Sequence, residues 1–487
     1  MKTTEFIIMI LYIGFCIFLA FYTQRKISSS ASGTDEYYVA GRRIGLAVNS
    51  IAILAALGSG GSFMAGIGTN FKLGLPTLAW MTVASICGFA LASILVAKPL
   101  RNSGKYTVTE FLTERYNSRF IQVMVPIILI IGSGIYLMSQ MKAGGLIASY
   151  ITGLSYEWGL VIIALVFILY VSLGGMLAVT WTNVLQGALM ILLILLIVIG
   201  GLVNAGQGPI SFFASTTKEY EHLGKLGVAL PLAAGIGAFV SWFTAPSVIP
   251  HLVMRVFTAK DVYSARLSMN IGMLIYGTLM FTSLIVILPF VPELGADTLK
   301  NTASDMWLLL IANKFFGPFI MGIITAGIMA AVMSTTDALL LACSASFAYD
   351  LYGKVINTKA SQKQLLRAAT ISTWVIGILV MLITLKPHPF LIVLYTAAVG
   401  FMASGLFPPM VLGIWWKRAN TIGASVSMVV GSVLFMILFL GFDMPYNTEI
   451  LIALPVSMLT MLVVSSLTEK PSEETIAKME QYHTGII

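Results

Sequence analysis

The sequence predicts an all-α integral membrane protein, and three observations carry that reading. Of the 487 residues, 58% are hydrophobic and only 10% charged, with a mean hydropathy of +0.93, well outside the range of soluble domains. The apolar residues gather into thirteen stretches, most of them near the roughly 20 residues a crossing helix needs, where barrel strands would be about 10 residues long and alternating. The cations fall in the short segments between these stretches. They therefore read as loop charges that set orientation and not as a basic face for nucleic acid, despite a net charge of +8.

In chain order the stretches cover residues 6–23, 45–70, 78–97, 121–150, 158–176, 180–204, 228–253, 267–291, 317–349, 368–385, 389–414, 421–441 and 448–467. The first could pass for a secretory signal. However, Lys2 is the only cation before it and Arg25 and Lys26 follow it, so it reads as a retained helix with its N-terminus outside. Thirteen crossings then put twenty cations inside, including Arg42, Arg43, Arg115 and Arg255, against seven outside. This asymmetry predicts an N-out, C-in topology. One transmembrane unit is expected: an extra helix at 6–23, a core at 45–414, two further helices at 421–467 and a tail of mixed charge at 468–487.

Several function classes drop out. The three cysteines, Cys16, Cys87 and Cys343, all lie in apolar stretches, so neither a disulfide framework nor a zinc site is indicated. No Walker motif and no soluble stretch of domain size is present, so ATP-driven pumping would need another subunit. The embedded residues contain no nucleophile, base and metal set for an enzyme, and no signalling domain follows Leu467. Neither an organic cofactor nor a nucleic-acid partner is expected.

Two embedded charges point to transport. Asp337, in Ser334-Thr335-Thr336-Asp337, is the one acidic residue in the middle of a stretch, and Lys142, in Gln140-Met141-Lys142-Ala143-Gly144-Gly145, is the one basic residue well inside another. An ionisable group at membrane depth costs about 2.5–3.5 kcal/mol on insertion scales and commonly marks an ion or solute pathway. Glycine points the same way. The second stretch reads Ala55-Ala56-Leu57-Gly58-Ser59-Gly60-Gly61-Ser62-Phe63, and the seventh reads Ala233-Ala234-Gly235-Ile236-Gly237-Ala238 before Trp242 and Pro246. Matched interruptions five stretches apart are expected of inverted-repeat transporters, whose broken helices expose carbonyls for ion sites. Close helix packing through small residues is the other reading of each glycine run.

An ordered set of short patterns resembles the sodium/solute symporter family of sodium-coupled sugar, proline, pantothenate, monocarboxylate and sialic acid carriers. The patterns are Asp35-Glu36-Tyr37-Tyr38-Val39-Ala40-Gly41-Arg42-Arg43, Gly174-Gly175 followed by Trp181-Thr182-Asn183-Val184-Leu185-Gln186-Gly187, and Ala331-Val332-Met333-Ser334-Thr335 running on to Asp350-Leu351-Tyr352. Pro250-His251-Leu252-Val253-Met254-Arg255 is similar to the pantothenate and monocarboxylate branches.

The resemblance implies a LeuT-like fold of five plus five inverted repeats, formed by stretches two to six and seven to eleven, in the plasma membrane. It also implies a co-transported sodium ion held by the carbonyls of Ala55, Gly58 and Ala331 and the hydroxyls of Ser334 and Thr335. Oxygen ligands suit a hard cation, and positions 331, 334 and 335 share one helical face. On the residues alone, Ser334 and Thr335 could equally bond back one turn.

Departures from the family pattern matter as much. A Trp-Thr-Asp segment is frequent in the family where this chain has Asn183, while Asp337 stands where relatives commonly carry a neutral polar residue. The carboxylate is therefore read as having changed helices, with Asp337 and Asn183 in one coupling network. Leu57 replaces an aspartate of sodium/proline relatives, which leaves proton coupling through Asp337 as an alternative to sodium. Lys142 has three readings: snorkelling to the outer surface, neutralising Asp337, or meeting a carboxylate on the solute.

The remaining pocket candidates are Ser59, Ser62 and Phe63, Gln140, and Phe239, Trp242 and Phe243, a mixture of polar groups and aromatic walls. The expected activity is sodium-coupled symport of a small anionic solute such as a monocarboxylate or pantothenate, by a monomer in membrane lipid. The alternatives are a proton-coupled carrier and an uncoupled facilitator or channel.

Overall fold

The computed structural model describes the backbone of residues 2–29, 33–386 and 391–485, and the side chains of these except 23–29, 33, 34, 77, 78 and 174. Residues 389 and 390, the predicted start of the eleventh stretch, and the side chains of Arg25 and Lys26 lie outside the described residues.

Each predicted stretch is helical. The chain runs through α1 (Thr3–Ser29), α2 (Leu46–Leu57) and α3 (Gly61–Leu73), α4 (Leu75–Leu95), α5 (Ala97–Asn102) and α6 (Val108–Tyr116). It continues through α7 (Arg119–Thr152), α8 (Tyr156–Leu173) and α9 (Gly175–Asn204), and then α10 (Pro209–Glu219), α11 (Leu232–Thr244) and α12 (Pro250–Thr258). The last part comprises α13 (Val262–Phe290), α14 (Trp307–Phe315), α15 (Pro318–Ile356) and α16 (Gln362–Thr384), followed by α17 (Leu391–Trp415), α18 (Thr421–Gly441), α19 (Ile450–Leu467) and α20 (Glu473–Thr484). Among the described residues eleven helical segments are long and apolar enough to cross a membrane, α11 and α12 together making one of them (Leu232–Thr258), and the bent pair α2–α3 makes a twelfth crossing. The remaining predicted stretch is α4, whose apolar part is Ala79–Leu95.

Side-chain caps start the helices on one face of the bundle. Thr107, Ser118, Asp261, Ser361, Asn420 and Ser472 each accept a backbone N–H from the first turn of the helix that follows, satisfying donors that have no partner within the helix. All six lie in segments that the charge asymmetry assigns to one side. Gly175, at φ +54°, turns α8 into α9 within one residue, where any Cβ would meet the Tyr37 ring.

The two breaks are unlike. α2 and α3 meet at 55° across Gly58-Ser59-Gly60, as the glycines predict. The seventh stretch breaks later than predicted, at Ala245–Ser247 and the two residues before α12. Gly237 is a packing glycine, since a Cβ there would overlap the Asn447 carbonyl. Pro246 and Pro250, which cannot donate to the helix ladder, frame the real interruption. The halves are tied together where Ile44 and Ala259 form an isolated bridge, with Ile44 N–H donating to Thr258 O at 3.2 Å and Lys260 N–H to Ile44 O at 2.9 Å.

Two predicted loop cations are interior. Arg115 is only 3% exposed and donates to the carbonyls of Gly413 and Ala419 at 2.5 and 3.0 Å, closing the C-terminal end of α17. Arg255 is fully buried on α12. The tail is likewise more than a charged strand. α20 buries Met479 and Tyr482, and Glu114 receives both the Tyr482 hydroxyl and the Lys478 ammonium.

Candidate ion and substrate site

At the break in the second span, Gly58, Gly60 and Gly61 each stand where a side chain would not fit. A Cβ on Gly60 would overlap that of Ala143, one on Gly61 would overlap the Tyr395 ring, and one on Gly58 would come within 2.5 Å of Met190 Sδ. The break redirects hydrogen bonds. Gly60 N–H, which an unbroken helix would give to Ala56 O, donates instead to Gln140 Oε1 at 2.9 Å, so Gln140 seats the first residues of α3.

The freed carbonyls turn towards α15. Ser334 Oγ lies 2.8 Å from Ala55 O, 3.0 Å from Ala331 O and 3.5 Å from Gly58 O. Thr335 Oγ1 lies 3.0 Å from Gly58 O, 3.3 Å from Ala331 O and 3.4 Å from Ala56 O. The structure thus brings together Ala55, Gly58, Ala331, Ser334 and Thr335, and adds the Ala56 carbonyl. Two hydroxyl protons are shared among four carbonyl oxygens, each with two lone pairs. Acceptors exceed donors in a fully buried place, a donor set that suits a hard monovalent or divalent cation.

Asp337 stands one turn along α15 at the centre of a second polar cluster. It is fully buried, and neither carboxylate oxygen has a hydrogen-bond partner among the described residues. Tyr170, Gln186 and the Arg255 guanidinium face it. Gln186 Nε2 donates to Tyr12 Oη at 3.2 Å, Tyr170 and Thr182 share a hydroxyl hydrogen bond, and Arg255 Nη1 donates to Thr180 Oγ1 at 3.1 Å. Asn183 is buried on α9 beside Thr182, one turn before Gln186.

Next to the break is a cavity of about 90 Å3 whose walls include Ser62, Asn70, Thr82, Trp242, Tyr276 and Tyr395. Two wall atoms, Trp242 Nε1 and Asn70 Oδ1, have no hydrogen-bond partner among the described residues, offering one donor and one acceptor. Below it the rings stack: Trp242 meets Tyr395 edge-on at 6.0 Å, Tyr395 stacks on Tyr136 at 5.7 Å, and Tyr136 meets His251 at 5.6 Å.

Of the predicted pocket residues, Ser62 and Trp242 line this cavity. Ser59 is hydrogen-bonded to Ser62 at 3.0 Å, and Phe63 lines a smaller neighbouring void. Phe239 and Phe243 are not brought to the cavity. They stack on each other at 5.6 Å, and Phe239 packs edge-on against Trp80 of α4. Lys142 neither snorkels nor meets Asp337: its ammonium is 2.8 Å from Asp305 Oδ2, with both side chains buried. Asp305 escapes sequence reading because it lies in a polar connection that folds back inside. Tyr276 and Tyr395 were missed because aromatic residues in apolar stretches carry no positional signal.

A family model described as the sodium:solute symporter family matches residues 37–431. The chain belongs to the sodium:solute symporter family. As a member it is a multi-pass membrane transporter and not an enzyme. It is 26% identical over 90% of both chains to the osmoregulated proline transporter OpuE of Bacillus subtilis. It is also 26% identical to the high-affinity proline transporter PutP of the same organism, over 93% of this chain and 96% of that one. Among solved structures, a Na+-coupled sialic acid symporter in a substrate-bound outward-open state superposes with a TM-score of 0.80 at 19% identity, covering 96% of this chain and 99% of the other. MhsT in complex with L-phenylalanine gives 0.57 at 14% identity over 86% and 97%. These likenesses establish the LeuT-type fold of this symporter.

The packing at the break yields a direct test of this geometry. Gly60→Ala should cut solute uptake at least tenfold while leaving surface expression near that of the parent, because the added methyl cannot sit beside Ala143 without displacing the break. Uptake normalised to protein in the membrane measures it.

Proposed function

We propose that this symporter uses sodium to accumulate a small organic solute bearing a carboxylate, by alternating access around the break in the second span, with its N-terminus outside. The single observation that carries the ion assignment is the oxygen nest of Ala55, Gly58, Ala331, Ser334 and Thr335, in which carbonyls outnumber hydroxyl protons. A bound cation replaces the shared protons as the common partner of these oxygens and locks α2 against α15. That links ion binding to the shape of the adjacent cavity, so each ligand raises the affinity of the other by the same factor. Asp337 and Asn183 belong to the coupling network behind this site.

The carboxylate assignment rests on the half-helix that starts at Gly61, whose first N–H groups carry the positive end of the helix dipole. The proline transporters among its relatives support a solute of that size and chemistry. Monocarboxylates and pantothenate share the carboxylate. A panel of labelled proline, pyruvate, pantothenate and glucose, offered to proteoliposomes under an inward sodium gradient, tests it. Accumulation of a carboxylate-bearing solute and exclusion of glucose is the expected result, and sugar uptake alone would refute the assignment.

A second reading has its own observation. The carboxylate of Asp337 is fully buried with neither oxygen hydrogen-bonded among the described residues, and a carboxylate at membrane depth commonly serves as a proton carrier. On this reading the gradient that drives uptake is of protons, and Asp337→Asn abolishes it.

A further inference from the structure

The buried pair Lys142–Asp305 joins three segments that must separate if the outer side of the bundle opens. Lys142 lies on α7, two residues after Gln140, which seats the break, and next to Ala143, against which Gly60 is packed. Asp305 lies in the short turn Ser304–Met306, just before α14. The same turn is pressed onto α3: a Cβ on Gly68 would overlap the Ser304 carbonyl, and Trp307 meets Phe71 edge-on at 6.1 Å. Rigid packing of this kind leaves α3 no room to tilt outward unless residues 304–307 lift. Lifting them pulls Asp305 off Lys142.

The pair is built to be exchanged. Its side chains are 6% and 1% exposed, and the contact is through one carboxylate oxygen at 2.8 Å. The second oxygen, Asp305 Oδ1, is buried with no hydrogen-bond partner among the described residues. A buried ion pair that leaves an acceptor unsatisfied recovers little of what desolvation costs, whereas removing one partner strands the other charge. Lys142 therefore faces, in a dry setting, a carboxylate that keeps one oxygen unsatisfied.

We propose that Lys142 is paired in turn with two carboxylates: with Asp305 when the outer side is closed, and with the solute when it is open, so that Asp305 is an internal competitor that shuts the outer gate. The gate half of this inference stands on the contacts above. The solute half rests on the symport of a carboxylate proposed in the preceding subsection.

The experiment uses the full chain in right-side-out vesicles with a cysteine reporter at Ser85, a wall of the cavity, and a membrane-impermeant thiol reagent added outside. The chain without the reporter supplies the background from its own three cysteines. Asp305→Asn and Lys142→Gln are each expected to raise the labelling rate about tenfold, the population change of a ~1.4 kcal/mol bias. The exchange Lys142→Asp with Asp305→Lys restores the pair and is expected to return labelling to the parent rate. It still fails to accumulate whichever of proline, pyruvate or pantothenate the parent accumulates, because the cation has left α7. Parent-like labelling in both single variants would overturn the gate. Restored uptake in the exchanged variant would overturn the role of Lys142 as the solute's partner. Labelling needs no ion gradient, so a failure of the symport reading itself would show in the parent's uptake and leave the gate result intact.

Discussion

Ser334→Ala should reduce sodium-driven accumulation at least tenfold and shift half-activation to higher sodium concentration, with Thr335→Ala close behind and the double variant inactive. Each hydroxyl touches three carbonyls within 3.5 Å, so removing one takes away both a ligand and one of the two protons that the four carbonyl oxygens share. A buried acceptor left unsatisfied costs about 1–3 kcal/mol, and the ion loses one of few oxygen contacts. Ser334→Thr keeps the hydroxyl and should retain measurable uptake. Sodium titration of initial uptake rates, with protein quantified in the membrane, reads all four variants. If Ser334→Ala leaves the sodium activation curve in place, the nest is not the ion site.

Replacing one charge in the Asp337–Arg255 cluster should be the most damaging structural change in the bundle. Both residues are fully buried and close enough to sense each other's charge, and a buried charge that loses its compensation is costly. Arg255→Met is therefore expected to lower yield and melting temperature sharply. Asp337→Asn in the same chain should recover much of that loss, because the two neutral side chains leave no isolated charge. Melting curves of purified protein in detergent test the cycle, and additive losses in the double variant would show that the two charges do not sense each other. Asp337→Asn alone should also weaken the dependence of uptake on the coupling ion.

The helices and the first break were legible because their signals are local. Length and apolar content define a crossing helix, and Gly58-Ser59-Gly60-Gly61 is a run no continuous helix needs. The second break was misplaced by reading Gly235 and Gly237 as its cause. Gly237 answers to the Asn447 carbonyl, more than two hundred positions away in the chain, and no local pattern reveals such a contact. The partner of Lys142 was hidden for the same reason, since Asp305 is 163 positions further on, in a connection that reads as exposed. Arg115 and Arg255 looked like topology charges because they flank apolar stretches. Their burial depends on partners far along the chain, the Gly413 and Ala419 carbonyls for Arg115 and the Thr180 hydroxyl for Arg255. The proposed ion ligands were named through resemblance. What the residues alone could not decide, whether Ser334 and Thr335 bond only within their own helix, is answered by carbonyls of α2 brought within reach by the break.

The measurement that bears most directly on the central claim is uptake by the parent protein in proteoliposomes with sodium and proton gradients imposed separately. The account predicts accumulation above equilibrium when only an inward sodium gradient is present, unaffected by a protonophore and abolished when sodium is replaced by choline. Accumulation driven by an inward proton gradient in the absence of sodium would contradict it and assign the coupling to Asp337.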